Sequence, residues 1–473
     1  MDRREELRVK IDEWFEAHCD EMIYDLGKLV EINSVKGKCE SGAPFGVNSR
    51  AALAMAQSML TAHGFEVSVF EDIMLTSVLG PAPPLMGILA HLDIVEAGEG
   101  WDTDPFKTTI KDGIIYGRGV IDNKGPAVAA MYAMYCTRDI CPELAHGVQL
   151  MLGSEEETGM SDVKKYLEKN TTPPNVFSPD AEYPVVNIEK GRFMPVFGAK
   201  WDKDTGLPRV ISITGGKTPN IVPNRAQAVI EGFTKEDAEE FCREYSKSTG
   251  VSFSAIAEGD NLAITAEGVA AHASTPERGN NAQTALIKML AAMPFAKSKG
   301  FECIRALSRL FPHGDNHGAA LGIDMSDEIV GRITVNFGVL RFSELEFSGN
   351  FDSRTPSCAD DLDLTAMTRA ALEHEAIELT YSEVIKSHHT PEESPFVQTL
   401  INIYEEFTGE QGKCLSMGGL TYVHDIPGGV AFGCAMPDEE NNVHGANEFI
   451  SLEQLVRSAK MFTLAIVDMC TGE

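Results

Sequence analysis

The strongest constraint this chain places on its own fold is the run from Pro84 to Asp93. Leu85 to Leu92 is almost wholly apolar, and a histidine and an aspartate stand at its end. Preceded by Pro83-Pro84, such a run predicts a strand buried on both faces, like the central strands of a parallel α/β sheet. Ligand-handling residues of these sheets collect just beyond the carboxyl ends of the strands. His91 and Asp93 fall there, two apart and therefore on one side of an extended chain. That spacing lets His91 bind a metal while Asp93 orients it or accepts a hydrogen bond from a ligand.

The surrounding pattern alternates. Residues 4–32 carry apolar side chains at helical spacing, and a second helix is expected from Ser49 to Ala62 with Asn48 as its N-cap. Strands are expected over Phe65–Phe70, within 71–92, over Gly147–Leu152 and over Asn175–Phe177. A hairpin turns at Lys111-Asp-Gly113, a helix of small residues runs from Ala127 to Tyr135, and another starts near Ser161. This is α/β order. From about 190 to 385 the character changes to strand-like runs (209–214, 226–233, 251–256, 261–266, 332–340, 344–351) with helices at 235–247 and 282–298, an α+β insert. After about 390 the first pattern resumes, with Gly428–Gly433 as a sheet strand.

Composition narrows the class. A chain of 473 residues is too long for one ordinary core, so two or three domains are expected. Its net charge of −31 would repel nucleic acid and acidic membranes. Ten cysteines without a Cys-x-x-Cys pair fit a reducing compartment. The charged N-terminus lacks an apolar signal region, and no apolar run reaches the roughly 18 residues of a membrane span, so a cytoplasmic protein is expected.

Potential metal ligands recur at the ends of the predicted strands: His91, Asp122, the run Glu155-Glu156-Glu157, Asp180 and, late in the chain, His444. Singly, each has an ordinary explanation. The glutamates could begin a solvated helix, Asp122 could be an N-cap, Asp180 a turn residue after Pro179, and His444 a loop histidine. Their joint placement at successive strand ends is what points to a site. Carboxylates with imidazole suit zinc, manganese or cobalt, and five ligands exceed what one catalytic zinc takes from protein. Two metals sharing a carboxylate would use them, leaving a free carboxylate of the glutamate run as general base.

In these motifs the chain resembles the PepV-type dinuclear zinc dipeptidases, the Xaa-His or carnosinase-like branch of the aminoacylase/carboxypeptidase metallopeptidases. The resemblance rests on Gly87–Trp101, Gly117–Pro126, Gly153–Gly159, Ser178–Pro184, Gly216–Pro223, Gly268–Pro276, Phe311–Asp315, Gly418–Tyr422 and His444–Glu448, in family order. It implies an α/β, mainly parallel-sheet catalytic domain (1–187 and 388–473) with an inserted α+β lid domain (188–387). It implies two divalent metal ions, zinc or else manganese or cobalt, and hydrolysis of dipeptides with an unblocked N-terminus by a monomer. N-acyl amino acid deacylases, desuccinylases and aminotripeptidases of the same superfamily are the alternative.

The roles it implies are specific. Asp122 would bridge the metals, with His91 and Asp180 completing one set and Glu157 and His444 the other. Glu156 would be the general base and Asp93 would buttress His91. From the lid, His272 would stabilise the oxyanion while Asn220 and Arg354 bind substrate. A cis peptide is implied after Asp122. Three departures bear on substrate preference: His424 stands where many relatives have arginine, Asn123 where many have a second aspartate, and Asp352-Ser-Arg-Thr where the usual run is Asp-x-Arg-Tyr. His313, His317, His388 and His389 match no ligand pattern and are read as structural or surface residues.

Overall fold

A computed structural model of the chain describes residues 3–437 and 439–471. It resolves into two units, Met1–Ile188 with His389–Glu473, and Glu189–His388.

The first unit is built on a mixed sheet. Its strands run in the order Val67–Phe70, Met74–Leu79, Gly147–Gly153, Pro84–His91, Asn175–Ser178, Val430–Ala431 and Val185–Glu189. Pro84–His91 pairs in parallel with Gly147–Gly153 on one side and Asn175–Ser178 on the other, and Val430–Ala431 continues the parallel run. The pairs toward both edges are antiparallel. From Met86 to His91 every residue is buried, which accounts for an unbroken apolar run where a half-exposed strand would alternate. The parallel register sets His91 opposite Gly153, so the loops after these strands emerge at one end of the sheet.

Helices Arg3–Val30, Lys124–Ile140 and Leu452–Cys470 pack on one another, and Lys124–Thr137 is buried throughout. Small side chains permit this closeness. A Cβ on Gly125 would stand 2.0 Å from the Val120 carbonyl oxygen, which explains why the first turn of the helix needs glycine. That helix begins at Lys124 and ends at Ile140, longer at both ends than the run of small residues predicts. The earlier helix starts at Val47 after Gly46, whose φ of 100° only glycine adopts easily, so Asn48 is a first-turn residue and not the cap. The strand expected over Gly428–Gly433 is confined to Val430–Ala431.

The second unit is an eight-stranded antiparallel sheet ordered Ser252–Glu258, Asn261–Glu267, Arg225–Glu231, Arg209–Gly215, Thr334–Phe342, Glu346–Thr355, Gly191–Lys200 and Glu378–Ile385. Its core joins Phe193, Phe197, Phe337 and Phe351 to apolar faces of helices Ala282–Ala292 and Lys299–Leu310. The single helix expected over 282–298 is thus two. Pro294 cannot continue a helix, and Ser298 caps the second by accepting the Phe301 N–H. Strands Gly191–Lys200 and Glu378–Ile385 and helix Leu364–His374 were not expected from the sequence.

Candidate metal centre

At the carboxyl end of the parallel strands, five of the expected ligands meet. His91 Nε2 lies 3.0 Å from Asp122 Oδ1 and 3.5 Å from Asp180 Oδ2. His444 Nε2 lies 2.9 Å from Asp122 Oδ2 and 3.1 Å from Glu157 Oε2. Asp122 therefore turns one oxygen to each imidazole. Ligand atoms of His91, Asp122 and Glu157 lie within 4.8 Å of one another, as do those of His91, Glu156 and Asp180.

Each side chain is delivered by a short, tethered loop. His91 ends its strand, and its Nδ1 faces the Asp93 backbone carbonyl at 3.0 Å, which leaves Nε2 toward the carboxylates. The Asp93 carboxylate is fully buried, and its two oxygens accept the backbone N–H groups of Glu156 and Glu157, each at 3.1 Å. It stands 3.4 Å from His91 Nδ1. Asp93 thus shapes the acidic turn as well as lying beside the histidine. The Asp122–Asn123 peptide is cis. The Asn123 amide donates to Asp180 Oδ1 at 2.9 Å and to the Pro179 carbonyl at 2.8 Å. An aspartate there could not donate, so this departure from many relatives ties down Asp180.

Glu155 belongs to a different network. It pairs with Lys36 at 2.6 Å and accepts from Thr158 and Ser161, so only the second and third glutamates of the run face the cluster.

Sequence reasoning missed two further supports. Asp162 accepts the N–H groups of Ser154 and Glu155 and the hydroxyl of Tyr422, whose ring stands edge-on to His91. Glu448 forms a buried ion pair with Arg118 at 2.5 Å and accepts the N–H groups of Gly119, Ile121 and Asp122. Arg118 also donates to the Gly445 carbonyl, so it couples the His444 loop to the Asp122 loop. Glu448 lies in a motif quoted for its histidine; for Asp162 no local signal existed.

The electrostatics call for a cation. Burial and the neighbouring Asp180 carboxylate push the Glu156 carboxyl well above its ordinary range. Burial and Asp122 push Glu157 up to about 7. Hydrogen bonds to Asp122 and Glu157 raise His444 to about 10. Buried Glu157 Oε1 has no hydrogen-bond partner, and four carboxylates with two imidazoles supply the oxygen and nitrogen donors a divalent cation takes. The residues fit such a group.

The remaining three expected residues lie in the second unit and are linked there. Ile221 and His272 form a β-bridge, and the Ala273 N–H donates to the Asn220 carbonyl. Thr334, opposite Arg354 in the sheet, donates its hydroxyl to the Ala273 carbonyl. Asp352 holds Arg354 through both carboxylate oxygens at 2.8 and 3.1 Å. His272 Nδ1 lies 3.2 Å from the Ser274 N–H and 2.7 Å from the Ser274 hydroxyl. His313 bonds Thr284 and the Thr249 carbonyl, and His317 the Ile333 carbonyl, as structural residues do.

A parallel strand-end cluster of imidazoles and carboxylates in one unit, with an all-antiparallel second unit inserted, defines a hydrolase of the metallopeptidase kind. The chain matches the model of peptidase family M20/M25/M40 over residues 87–468 and belongs to that family. It is a hydrolase acting on peptide bonds.

It is similar to a Bacillus subtilis (strain 168) protein named "Putative dipeptidase YtjP", with 31% identity over 455 residues that cover 95% of this chain and 97% of the relative. A Staphylococcus epidermidis protein named "Putative dipeptidase" is 29% identical over 465 residues, 96% of this chain and 98% of its own. Among solved structures, human carnosine dipeptidase 1 has the same fold with a TM-score of 0.58 at 15% identity, over 98% of each chain. The Saccharomyces cerevisiae dipeptidase Dug1p matches with a TM-score of 0.56 at 12% identity, over 97% of this chain and 98% of its own. Among the described residues no helix is long and apolar enough to cross a membrane.

Proposed function

We propose that this protein is a PepV-type dipeptidase that cleaves unblocked dipeptides with two divalent cations, zinc or else manganese or cobalt. The observation that carries the reading is Asp122, whose two oxygens each face a different imidazole, with Asp180 beside one and Glu157 beside the other. That is the arrangement a shared carboxylate needs. His91, Asp122 and Asp180 would hold one cation, and Asp122, Glu157 and His444 the other. Bound there, the cations would supply Lewis acidity toward a peptide carbonyl and toward water.

The chain's own residues do the rest. Glu156, set against His91 and Asp180 but outside both ligand sets, takes a proton from the attacking water as its oxygen bonds to the carbonyl carbon. The same carboxyl returns the proton to the leaving nitrogen as the C–N bond breaks, so water is added across the peptide. Asp93 holds the Glu156–Glu157 turn in place through two backbone hydrogen bonds. Glu189–His388 acts as the lid: His272 stabilises the oxyanion, and Asn220 and Arg354 bind the substrate backbone or carboxylate. We read the enzyme as a cytoplasmic monomer, a reading supported by the family resemblance and by ten cysteines that form no Cys-x-x-Cys pair.

The test is hydrolysis of β-Ala-His and Leu-Gly, beside N-acetyl-Leu, by chelated protein reloaded with Zn²⁺ or Mn²⁺, run in parallel with Glu156→Ala. Metal-restored cleavage of the dipeptides, lost in Glu156→Ala while metal still binds, is the expected result. Cleavage of N-acetyl-Leu alone would move the protein to the deacylases.

A further inference from the structure

We infer that Asn123 is a positioning residue for one of the two cations: its side-chain amide joins His91 to Asp180 and decides which oxygen of Asp180 is left for the ion. The inference rests on the two-cation reading above and adds a residue that serves the His91–Asp180 set and not the Glu157–His444 set.

The ordinary role of such a residue is the one Asn123 does not fill. It stands at the N-cap of helix Lys124–Ile140, where an asparagine side chain normally accepts a hydrogen bond from the first turn. Its side chain makes no such bond. It is completely buried and turned instead to the strand ends, where Nδ2 donates to the Pro179 carbonyl at 2.8 Å and to Asp180 Oδ1 at 2.9 Å. Its Oδ1 accepts the His91 backbone N–H at 3.4 Å.

The chemistry of the three partners fixes the orientation of the amide. Turned over, it would set its oxygen against two acceptors and its NH2 against a donor, so all three contacts would fail. Asp180 Oδ1 is therefore held by Asn123, and Oδ2, 3.5 Å from His91 Nε2, is the oxygen that faces the cluster. Among the described residues Asn123 has no hydrogen bond to Glu157 or His444, which meet at the other oxygen of Asp122. One side chain thus braces both partners of a single ligand set.

A neutral donor is what this place requires. The cluster already gathers the carboxylates of Asp122, Glu156, Glu157 and Asp180. An ionised aspartate in place of Asn123 would bring a fifth carboxylate within hydrogen-bond reach of Asp180, with repulsion where the amide now donates. Asparagine holds Asp180 with the same reach and adds no charge, so the negative charge of Asp180 stays available to the ion.

The experiment titrates chelated protein with Co²⁺, followed by calorimetry and by the visible absorption of the bound ion. In His444→Ala the intact set is His91, Asp122 and Asp180, and adding Asn123→Leu should weaken Co²⁺ binding about 10–100-fold. In Asp180→Ala the intact set is Asp122, Glu157 and His444, and the same substitution should leave the affinity unchanged. Equal loss in both backgrounds, as a merely structural role would give, or no loss in the first, overturns the inference. The wild type should take up two Co²⁺ per chain. Uptake of one ends the two-cation reading, and no uptake overturns both. With one ion bound, or should a variant fail to fold, a crystal structure of the Co²⁺-loaded wild type decides. Asp180 Oδ2 on the ion beside His91, with Oδ1 still held by Asn123, supports the inference. Oδ1 on the ion, or Asp180 away from it, overturns it.

Discussion

The carboxylate of Asp93 reaches across the top of the sheet to the backbone of Glu156, accepting its N–H at 3.1 Å, with the other oxygen taken by Glu157. An acid at the end of one strand thus sets the conformation of the acidic turn at the end of the next. Asp93→Asn keeps the shape but replaces one acceptor oxygen by a donor that faces an N–H group. Metal affinity and kcat should fall about 10–100-fold, as changes behind a metal ligand usually produce. Titration of the chelated protein with Zn²⁺ and single-substrate kinetics check this, with circular dichroism unchanged.

Arg118 and Glu448 are both almost fully buried and paired. Arg118→Met leaves the Glu448 charge in the interior with only backbone N–H partners. Breaking such a pair costs about 3–5 kcal/mol. Urea unfolding of the metal-free protein should report a loss of that order, carried by the first unit. The loss should shrink in Arg118→Met combined with Glu448→Gln, because the stranded charge is then removed.

The Tyr422 hydroxyl donates to Asp162, which also holds the Ser154 and Glu155 amides. Tyr422→Phe removes that donor while leaving the ring against His91. A hydrogen bond to a charged group contributes about 1.5–3 kcal/mol, so the thermal midpoint should drop correspondingly. Gly153→Ala should be worse, because the new Cβ would lie 2.1 Å from that hydroxyl oxygen.

Asp327 in the second unit provides a pH test on a group that is not among the candidate ligands. Burial acts to raise its carboxyl pKa, but it is outweighed by the N–H groups of Val330, Cys358 and Ile329 and the Ser357 hydroxyl, which hold the carboxyl down at about 2. A depressed carboxyl contributes stability above its unfolded pKa of about 3.9, and that contribution is lost as pH falls through its folded value. Between about pH 4 and pH 2 the wild type should therefore lose its advantage over Asp327→Asn in urea midpoint. A constant difference across that range would assign the stabilisation to something other than ionised Asp327.

The legible parts of this protein are those that leave a local or periodic mark. The apolar run ending at His91 announces a doubly buried strand, and the glutamates after Gly147–Gly153 and Asp180 after Asn175–Ser178 stand at the ends of similar runs, whereas Asp122 and His444 follow none. Where local rules competed, boundaries moved. Pro294 split one expected helix, and Gly46 displaced Asn48 from its cap. Strand Gly191–Lys200, interrupted by Pro195 and carrying Arg192 beside Met194, lacked the alternation that marks a strand, although it is the partner of Arg354 in the sheet.

By itself, then, the sequence determined the kind of fold and the order in which ligand-type residues arrive at the ends of strands, because periodicity and turn chemistry are properties of neighbours along the chain. Tertiary structure alone decided that Glu155, the first of three consecutive glutamates, turns to Lys36. It also decided that Asn123 holds Asp180, that Tyr422 holds Asp162 from 260 residues away, and that Arg118 meets Glu448. Those choices rest on single hydrogen bonds and ion pairs between distant segments, and such contacts leave no repeat in the sequence. They exist only once the strands are in register and the buried groups must find partners.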